Sequence, residues 1–446
     1  MSSGFQETPN GEVGTGRIAK QPLTDLASVE HIVSTTSVAE AWKKVKSNKG
    51  APGVDGISIE KFPKWGRPKW KLTKEGLLAG TFRPRPALRV EIPKESGGVR
   101  KLGIPCVLER VIMQSIAKVF ESIFNTNFSD FSYGYRPGRS VQQTARQAQV
   151  FYQQGYKWQI DIDLEKFFDT VNHDVLMERV ARKVRSKGVL KLIGSFLRAG
   201  VEVDGRLQET TKGVPQGNPL SPILSNILLD HLDKELEKRG LRFIRYADDL
   251  AIFVKSERAG NRVMESITNY LEKKLKVTVN RKKSKVNKVK ESAVLGFHIH
   301  FKKLRTTGPK VRKFKAKLKL ISRRCPGISI ESRYSELRKY IQGWMSHYGC
   351  GLKFDTAVML DGWIRRRIRM CYWKQWRKPR KRIRELIKRG VRKKEAINMG
   401  LSRKSYWRLS KTLATNCGLS NAILEKEGLI SIRELWCKVH HPATAR

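Results

Sequence analysis

The chemistry of this chain starts from Ala247-Asp248-Asp249, which lies between two β-prone runs, 242–246 and 250–254, so a hairpin would carry both aspartates at its tip. Two adjacent carboxylates repel one another and cost stability unless a cation sits between them. Alone, the pair reads equally as a polar turn, since turns favour Asp. A third carboxylate tips the balance. Asp163 ends a run with strand period in which Trp158, Ile160 and Ile162 point one way and Gln159, Asp161 and Asp163 the other. Leaving its strand there, Asp163 would sit beside the hairpin in one sheet. Hard oxygens from two strands are what two magnesium ions need, one to activate an attacking 3′-hydroxyl and one to hold a triphosphate and its leaving group. Asp161 shares the face but lies farther from the exit, and reads as a structural polar contact. Asp169, Asp174 and the Asp204-Gly205 turn read as turn or cap residues.

The elements that must position these groups follow from periodicity. From Val38 to about His300, apolar segments alternate between helical and strand periods, which predicts one mixed α and β body. Glu109 to Phe124 carries a helical stripe through Val111, Ile112, Ser115, Ile116, Val119, Phe120 and Ile123. Residues 1–35, rich in Gly, Ser, Thr and Asn, read as a mobile lead-in. After Phe301 strand signals fade, and a helical module holds most of the tryptophans. Ser420 opens and Gly428 closes one of its helices, and Ser431 to Glu434 forms a capping box for the last.

Composition narrows the partners. The 446 residues include 90 Lys and Arg against 41 Asp and Glu, a net charge of +49, with 39% hydrophobic residues. That is a folded protein whose surface wants a polyanion, not a disordered basic tail. Nucleic acid outranks membrane, because no run nears the ~18 apolar residues that cross a bilayer and aromatics are interleaved with the basic residues. The six cysteines show no C-x-x-C pair, so buried free thiols outrank a zinc site. The expected compartment is the cytoplasm.

Taken together, several blocks resemble the reverse transcriptases encoded by group II introns. Tyr246-Ala-Asp-Asp249 is preceded by Asp163 with Phe167-Phe-Asp169 and by Gly213-Val-Pro-Gln-Gly-Asn-Pro-Leu-Ser-Pro222. Asn48 to Gly56 and Ile92 to Pro105 resemble the two fingertip blocks, and Tyr133-Gly-Tyr-Arg-Pro-Gly-Arg-Ser140, Asn280 to Lys285 and Leu295-Gly-Phe297 complete the order. The resemblance implies a right-hand polymerase of the α+β class. Fingers and palm with an antiparallel sheet would span 36–300, an α-helical thumb and maturase domain 301–378, and a small basic helical domain 379–446. It implies RNA-directed DNA synthesis with two Mg2+ ions on Asp163, Asp248 and Asp249, with a backbone carbonyl from Ile162 or Leu164. Lys94 and Arg100 would clamp the triphosphate of a deoxynucleotide, one compact and one forked cation facing phosphate oxygens. Gln216 and Gly217 would line the nucleotide pocket, Phe168 would exclude a 2′-hydroxyl by bulk, and Lys283 would protonate the leaving pyrophosphate.

The module after residue 301 resembles the maturase region of the same family through Arg365 to Arg367, Cys371 to Arg377 and Ser402 to Arg408. Between Asp361 and Ser410 stand 19 Lys and Arg and three acids. A helix over 363–376 would pack Ile364, Ile368, Tyr372 and Trp376 and leave Arg365, Arg366, Arg369 and Lys374 largely free for RNA phosphates, with Arg377 beyond them. The partners implied are the host intron RNA, an RNA template, a DNA primer or target and deoxynucleotides, in a bacterial ribonucleoprotein of unspecified oligomeric state. The chain stops at Arg446 without the paired cysteines and histidines of a nuclease domain, which points to the endonuclease-lacking, class C-like members, and His440-His441 reads as a frayed end. The rival readings are a splicing-only RNA-binding maturase and a domesticated reverse transcriptase in repair or defence.

Overall fold

The computed structural model describes residues 27–93, 97–324 and 327–441. Its chain forms two compact units: one runs to Phe128 and resumes over Lys166–Leu229, and the other comprises Ser129–Glu165 and Asp230–Arg446. This interleaving differs from the linear succession of domains expected, because the sheet that carries the aspartates draws its strands from two separated stretches, 158–162 and 242–288.

In the first unit, strands Ala87–Pro93 and Val99–Ile104 form an antiparallel hairpin, extended by Val201–Val203 parallel to the first of them and then by Arg206–Gln208. Helix Val107–Phe124 buries the whole predicted stripe and, beyond it, Glu109 and Arg110. The lead-in ends earlier than expected. Helix Val29–Ile32 is packed in, with Ile32 1% exposed and its carbonyl accepting from Ser115 Oγ at 2.6 Å, and Ser34 caps helix Thr35–Ser47. Residues 1–26 lie outside the described part.

The sheet of the second unit is antiparallel, in the order Arg242–Tyr246, Asp249–Val254, Trp158–Ile162, Lys285–Lys288. The period-two reading of 158–162 holds: Ile160 pairs with Ile252 and Asp161 with Ala251, so apolar and acidic residues divide between the faces. Helix Glu257–Lys274 lies on the Ile160 side so closely that a Cβ on Gly260 would come within 2.6 Å of Val286. Helix Val141–Gln153, started by a full capping box at Ser140, covers the other side through Ala145, Ala148 and Phe151, whose ring lies 5.5 Å from that of Phe253.

The rest of this unit is helical, and it does not break at 378. Helices Gly308–Ile321, Ile330–Tyr348 and Phe354–Gln375 share one core with the short helices after them, running from Phe314 to Ile432. Polar contacts tie the same pieces together. Trp373 Nε1 donates to Thr415 Oγ1 at 3.1 Å, Ile432 N to Asp361 Oδ1 at 2.7 Å, and Trp436 Nε1 to the Leu352 carbonyl at 2.8 Å. Residues 379–441 therefore wrap back on the long helix instead of forming a domain apart. His440 is not frayed: its ring stacks on Trp436 at 3.9 Å, and its nitrogens meet the carbonyls of Trp436 and Cys350. Among the described residues no helix is long and apolar enough to cross a membrane.

Candidate active site

The hairpin forms as its sequence predicts. Tyr246 pairs with Asp249, so Ala247 and Asp248 make a two-residue turn, with Ala247 in the left-handed region at φ 59°. That conformation costs a non-glycine residue about 1 kcal/mol and persists only where the surroundings impose it. They do so here through Arg245, 1% exposed, which reaches forward so that Nη1 donates to the Ala247 carbonyl at 3.0 Å. The same guanidinium grips Asp233, 0% exposed, with Nε at 2.8 Å and Nη2 at 2.6 Å, and Nη2 also donates to Ser132 Oγ at 2.7 Å. A buried forked pair of this kind has fixed geometry, and the turn inherits it.

A second constraint comes from 131–134. This segment runs beside the hairpin, with Tyr133 N donating to the Arg245 carbonyl at 2.8 Å and Arg245 N to that of Phe131 at 2.9 Å. Next to it Gly134 passes so near the turn that a Cβ there would lie 2.1 Å from Ala247 N. Only a glycine admits that approach.

Asp163 follows strand Trp158–Ile162, and the register that sets Ile162 opposite Leu250 brings Asp163 level with Asp249. Its backbone is pinned from the other side: Asp163 N donates to Ser284 Oγ at 3.1 Å, and its carbonyl accepts from Asn280 N at 2.8 Å. Ile162 and Leu164 flank it with buried side chains, Leu164 bridging to Val279. Although Asp249 lies at the surface, burial of its carboxyl and the charges of Asp248, Asp163 and Asp161 push its pKa up to about 6. Asp161 is likewise raised to about 6 by burial, and it accepts from Gln159 Nε2 at 2.5 Å, the structural contact expected of it. Lys283 Nζ stands 3.7 Å from Asp163 Oδ2.

These carboxylates fit a magnesium site in donor chemistry, since they offer hard oxygens from neighbouring strands. They share one field without forming a closed cage, for among the described residues no three acidic, His or Cys side chains are gathered as a complete metal site.

The residues assigned to the nucleotide lie in the first unit. Arg100 is exposed in Val99–Ile104, opposite Ile92. The same strand meets the Pro-Gln-Gly loop, where Gly103 N donates to the Gln216 carbonyl at 2.8 Å and Gly217, at φ 100°, stands over the Gly103 carbonyl. Phe168 is half-buried in the short helix Phe167–Thr170, and its carbonyl accepts from Val214 N at 2.6 Å. Lys94 lies outside the described residues.

The arginines expected to be free are not. Arg365 pairs with Asp361 at 2.6 Å and Glu425 at 2.7 Å, and Arg366 lies 3.8 Å over the Trp407 ring and donates to the Trp407 carbonyl. Arg369 donates to the Leu419 carbonyl at 2.9 Å and to Asn421. The returning helices bury that side of Phe354–Gln375 and use its guanidinium groups as internal ties. Lys374 and Arg377 do remain exposed.

Sequence reasoning passed over Arg245, Asp233, Ser132 and Gly134. Arg245 and Gly134 stood inside or beside the motif blocks, but nothing in a sequence marks a buried pair.

A mixed sheet-and-helix body with an acidic hairpin beside a third strand-end carboxylate, continued by a helical domain, defines the right-hand polymerase class. Residues 92–299 match the family described as reverse transcriptase (RNA-dependent DNA polymerase), and residues 311–390 match the group II intron, maturase-specific domain. The chain is 31% identical to Protein YkfC of Escherichia coli, over 58% of its own length and 79% of that protein. It is also 31% identical to the putative COX1/OXI3 intron 2 protein of Saccharomyces cerevisiae and 32% to the group II intron-encoded protein LtrA of Lactococcus lactis. It covers 58% and 46% of itself in those two comparisons, but only 37% and 34% of the relatives. The chain belongs to the group II intron-encoded reverse transcriptases that carry a maturase domain.

Proposed function

We propose that Asp163, Asp248 and Asp249 hold two magnesium ions for RNA-templated DNA synthesis, and that the helical part binds the host intron RNA during splicing and mobility. Bound between these carboxylates, magnesium supplies the positive charge that the attacking 3′-oxygen and the departing pyrophosphate both need. The observation that carries this reading is the strand register, which brings Asp163 level with Asp249 and beside the turn that holds Asp248. Arg100 and Lys94 are assigned to the triphosphate, Gln216 and Gly217 to the pocket wall, and Phe168 to exclusion of a 2′-hydroxyl. A carbonyl of Ile162 or Leu164 completes the ligand set. Lys283, beside Asp163, would deliver a proton to pyrophosphate as the P–O bond breaks. Lys374 and Arg377 are the members of the expected RNA-binding set whose charge faces outward.

The test is extension of a DNA primer on an RNA template with magnesium. Wild-type protein should extend, and Asp248→Asn and Asp163→Asn should each lose at least about a hundredfold, as loss of a metal-site charge does in such chemistry. Undiminished extension by both variants would overturn the metal-site assignment and return these aspartates to structural roles, and no extension by the wild type would leave the splicing-only reading.

A further inference from the structure

In the helical part a groove of about 880 Å3 is lined by six cations, Arg312, Lys315, Lys319, Arg323, Arg324 and Arg367, and by no acid. Helix Gly308–Ile321 creates this face: Phe314, Leu318 and Ile321 go into the core, and Arg312, Lys315 and Lys319 recur on the outside at helical spacing. Among the described residues none of Arg312, Lys315, Lys319, Arg323 or Arg324 has an acidic partner, so their mutual repulsion calls for an anion from outside. Arg367 is held in place, with Nε donating to Ser322 Oγ at 2.6 Å and Nη2 to the Lys319 and Ser322 carbonyls.

Two indoles complete the lining. Trp363 and Trp407 are half-buried, so part of each ring stays accessible. Lys315 lies 5.4 Å and Arg367 5.2 Å from the Trp363 ring, and Arg366 backs Trp407. Aromatic rings among cations are the pairing that single strands require, bases stacking while phosphates meet charge. A duplex keeps its bases stacked inside and offers them to no indole, and a cavity of this size admits about two nucleotides and no helix.

We propose that this groove binds an unpaired polynucleotide strand, its bases against Trp363 and Trp407 and its phosphates on the surrounding lysines and arginines. This rests on reading the chain as an RNA-handling polymerase, and deepens it by giving the helical part a preference for unpaired over paired substrate.

The experiment measures binding of a short labelled unpaired RNA, the matching DNA strand and the RNA duplex to the full chain at several salt concentrations. The unpaired strands should bind about tenfold more tightly than the duplex. A preference for RNA would show 2′-hydroxyl contacts, and equal affinity would show that phosphate and base suffice; both support the groove. Replacing Lys315, Lys319 and Arg323 together by Ala, all exposed, should lower the slope of log K against log salt by about 2. Because Trp407→Leu risks the Arg366 contact, photocrosslinking of a bromouridine strand to wild-type protein provides a second readout, expected at Trp363 or Trp407. Duplex binding as tight as unpaired, an unchanged salt slope, or crosslinks confined elsewhere would each overturn the proposal. Primer extension on a short template should survive the triple replacement, so failure of the groove and failure of the polymerase assignment are told apart.

Discussion

Arg245 Nη1 donates to the carbonyl of Ala247, two residues ahead in the chain and immediately before the paired aspartates, at 3.0 Å. An ion pair wholly out of water, Arg245 with Asp233, is thereby connected to the one strained residue of the hairpin turn. The arrangement makes the turn's shape depend on a partner twelve residues upstream.

Arg245→Met should therefore destabilise the protein by about 3–5 kcal/mol, since it strands the buried Asp233 carboxylate. The double replacement Arg245→Met with Asp233→Leu should recover much of that stability, because an apolar pair of similar volume replaces a buried ion pair at little cost. Primer extension should stay low in the double variant, as the Ala247 carbonyl still lacks its donor. Urea unfolding beside extension rates checks this; recovery of both together would make the pair purely structural.

Gly134→Ala forces a methyl carbon toward Ala247 N, which is backbone and cannot step aside. Extension should fall sharply. Gly343→Ala is the control: it lies in helix Ile330–Tyr348, its Cβ would meet nothing within 4 Å, and it should stabilise by about 0.5–1 kcal/mol. If Gly134→Ala extends at the wild-type rate, the turn is more yielding than its packing indicates.

Arg365→Ala removes a partner of Asp361, a side chain 2% exposed, and should cost about 3 kcal/mol, seen as a lower melting temperature. Lys374→Ala with Arg377→Ala should leave melting unchanged and weaken intron RNA binding, with a salt slope shallower by about 0.7 for each phosphate that is no longer neutralised. Equal melting for Arg365→Ala and wild type would restore the view of that arginine as a free RNA ligand.

Burial raises the Cys106 thiol to about 11, with Glu109 adding to the effect. The folded state thus favours the protonated thiol. This contribution to stability is present below the ordinary thiol value of 9 and disappears as pH climbs through 11. At about pH 8.5 iodoacetamide should modify the exposed Cys417 and Cys437 and spare Cys106 until urea unfolds the chain. Mass spectrometry of labelled peptides reads the order; Cys106 reacting as fast as Cys437 would contradict its burial.

What the sequence alone determined is whatever is local. The alternation of Trp158 to Asp163, the β-prone arms around Asp248 and Asp249, the stripe of 109–124 and the Ser420 cap each depend on residues within a turn or a strand of one another, and each formed as read. Because side chains along a strand repeat every second residue, the face shared by Asp161 and Asp163 was legible as well, whereas the register that sets Asp163 level with Asp249 was not. Tertiary structure decided what depends on distant residues. Charge composition marked Arg365, Arg366 and Arg369 as basic, but whether a guanidinium meets RNA or a carbonyl fifty residues away depends on the return of 379–441 over Phe354–Gln375. The same holds for Arg245: sequence shows an arginine on a strand, and only the fold brings Asp233 and Ser132 to it. A buried charge is tolerated only with its partners in place, and those partners are chosen by packing across the chain, not by neighbours along it.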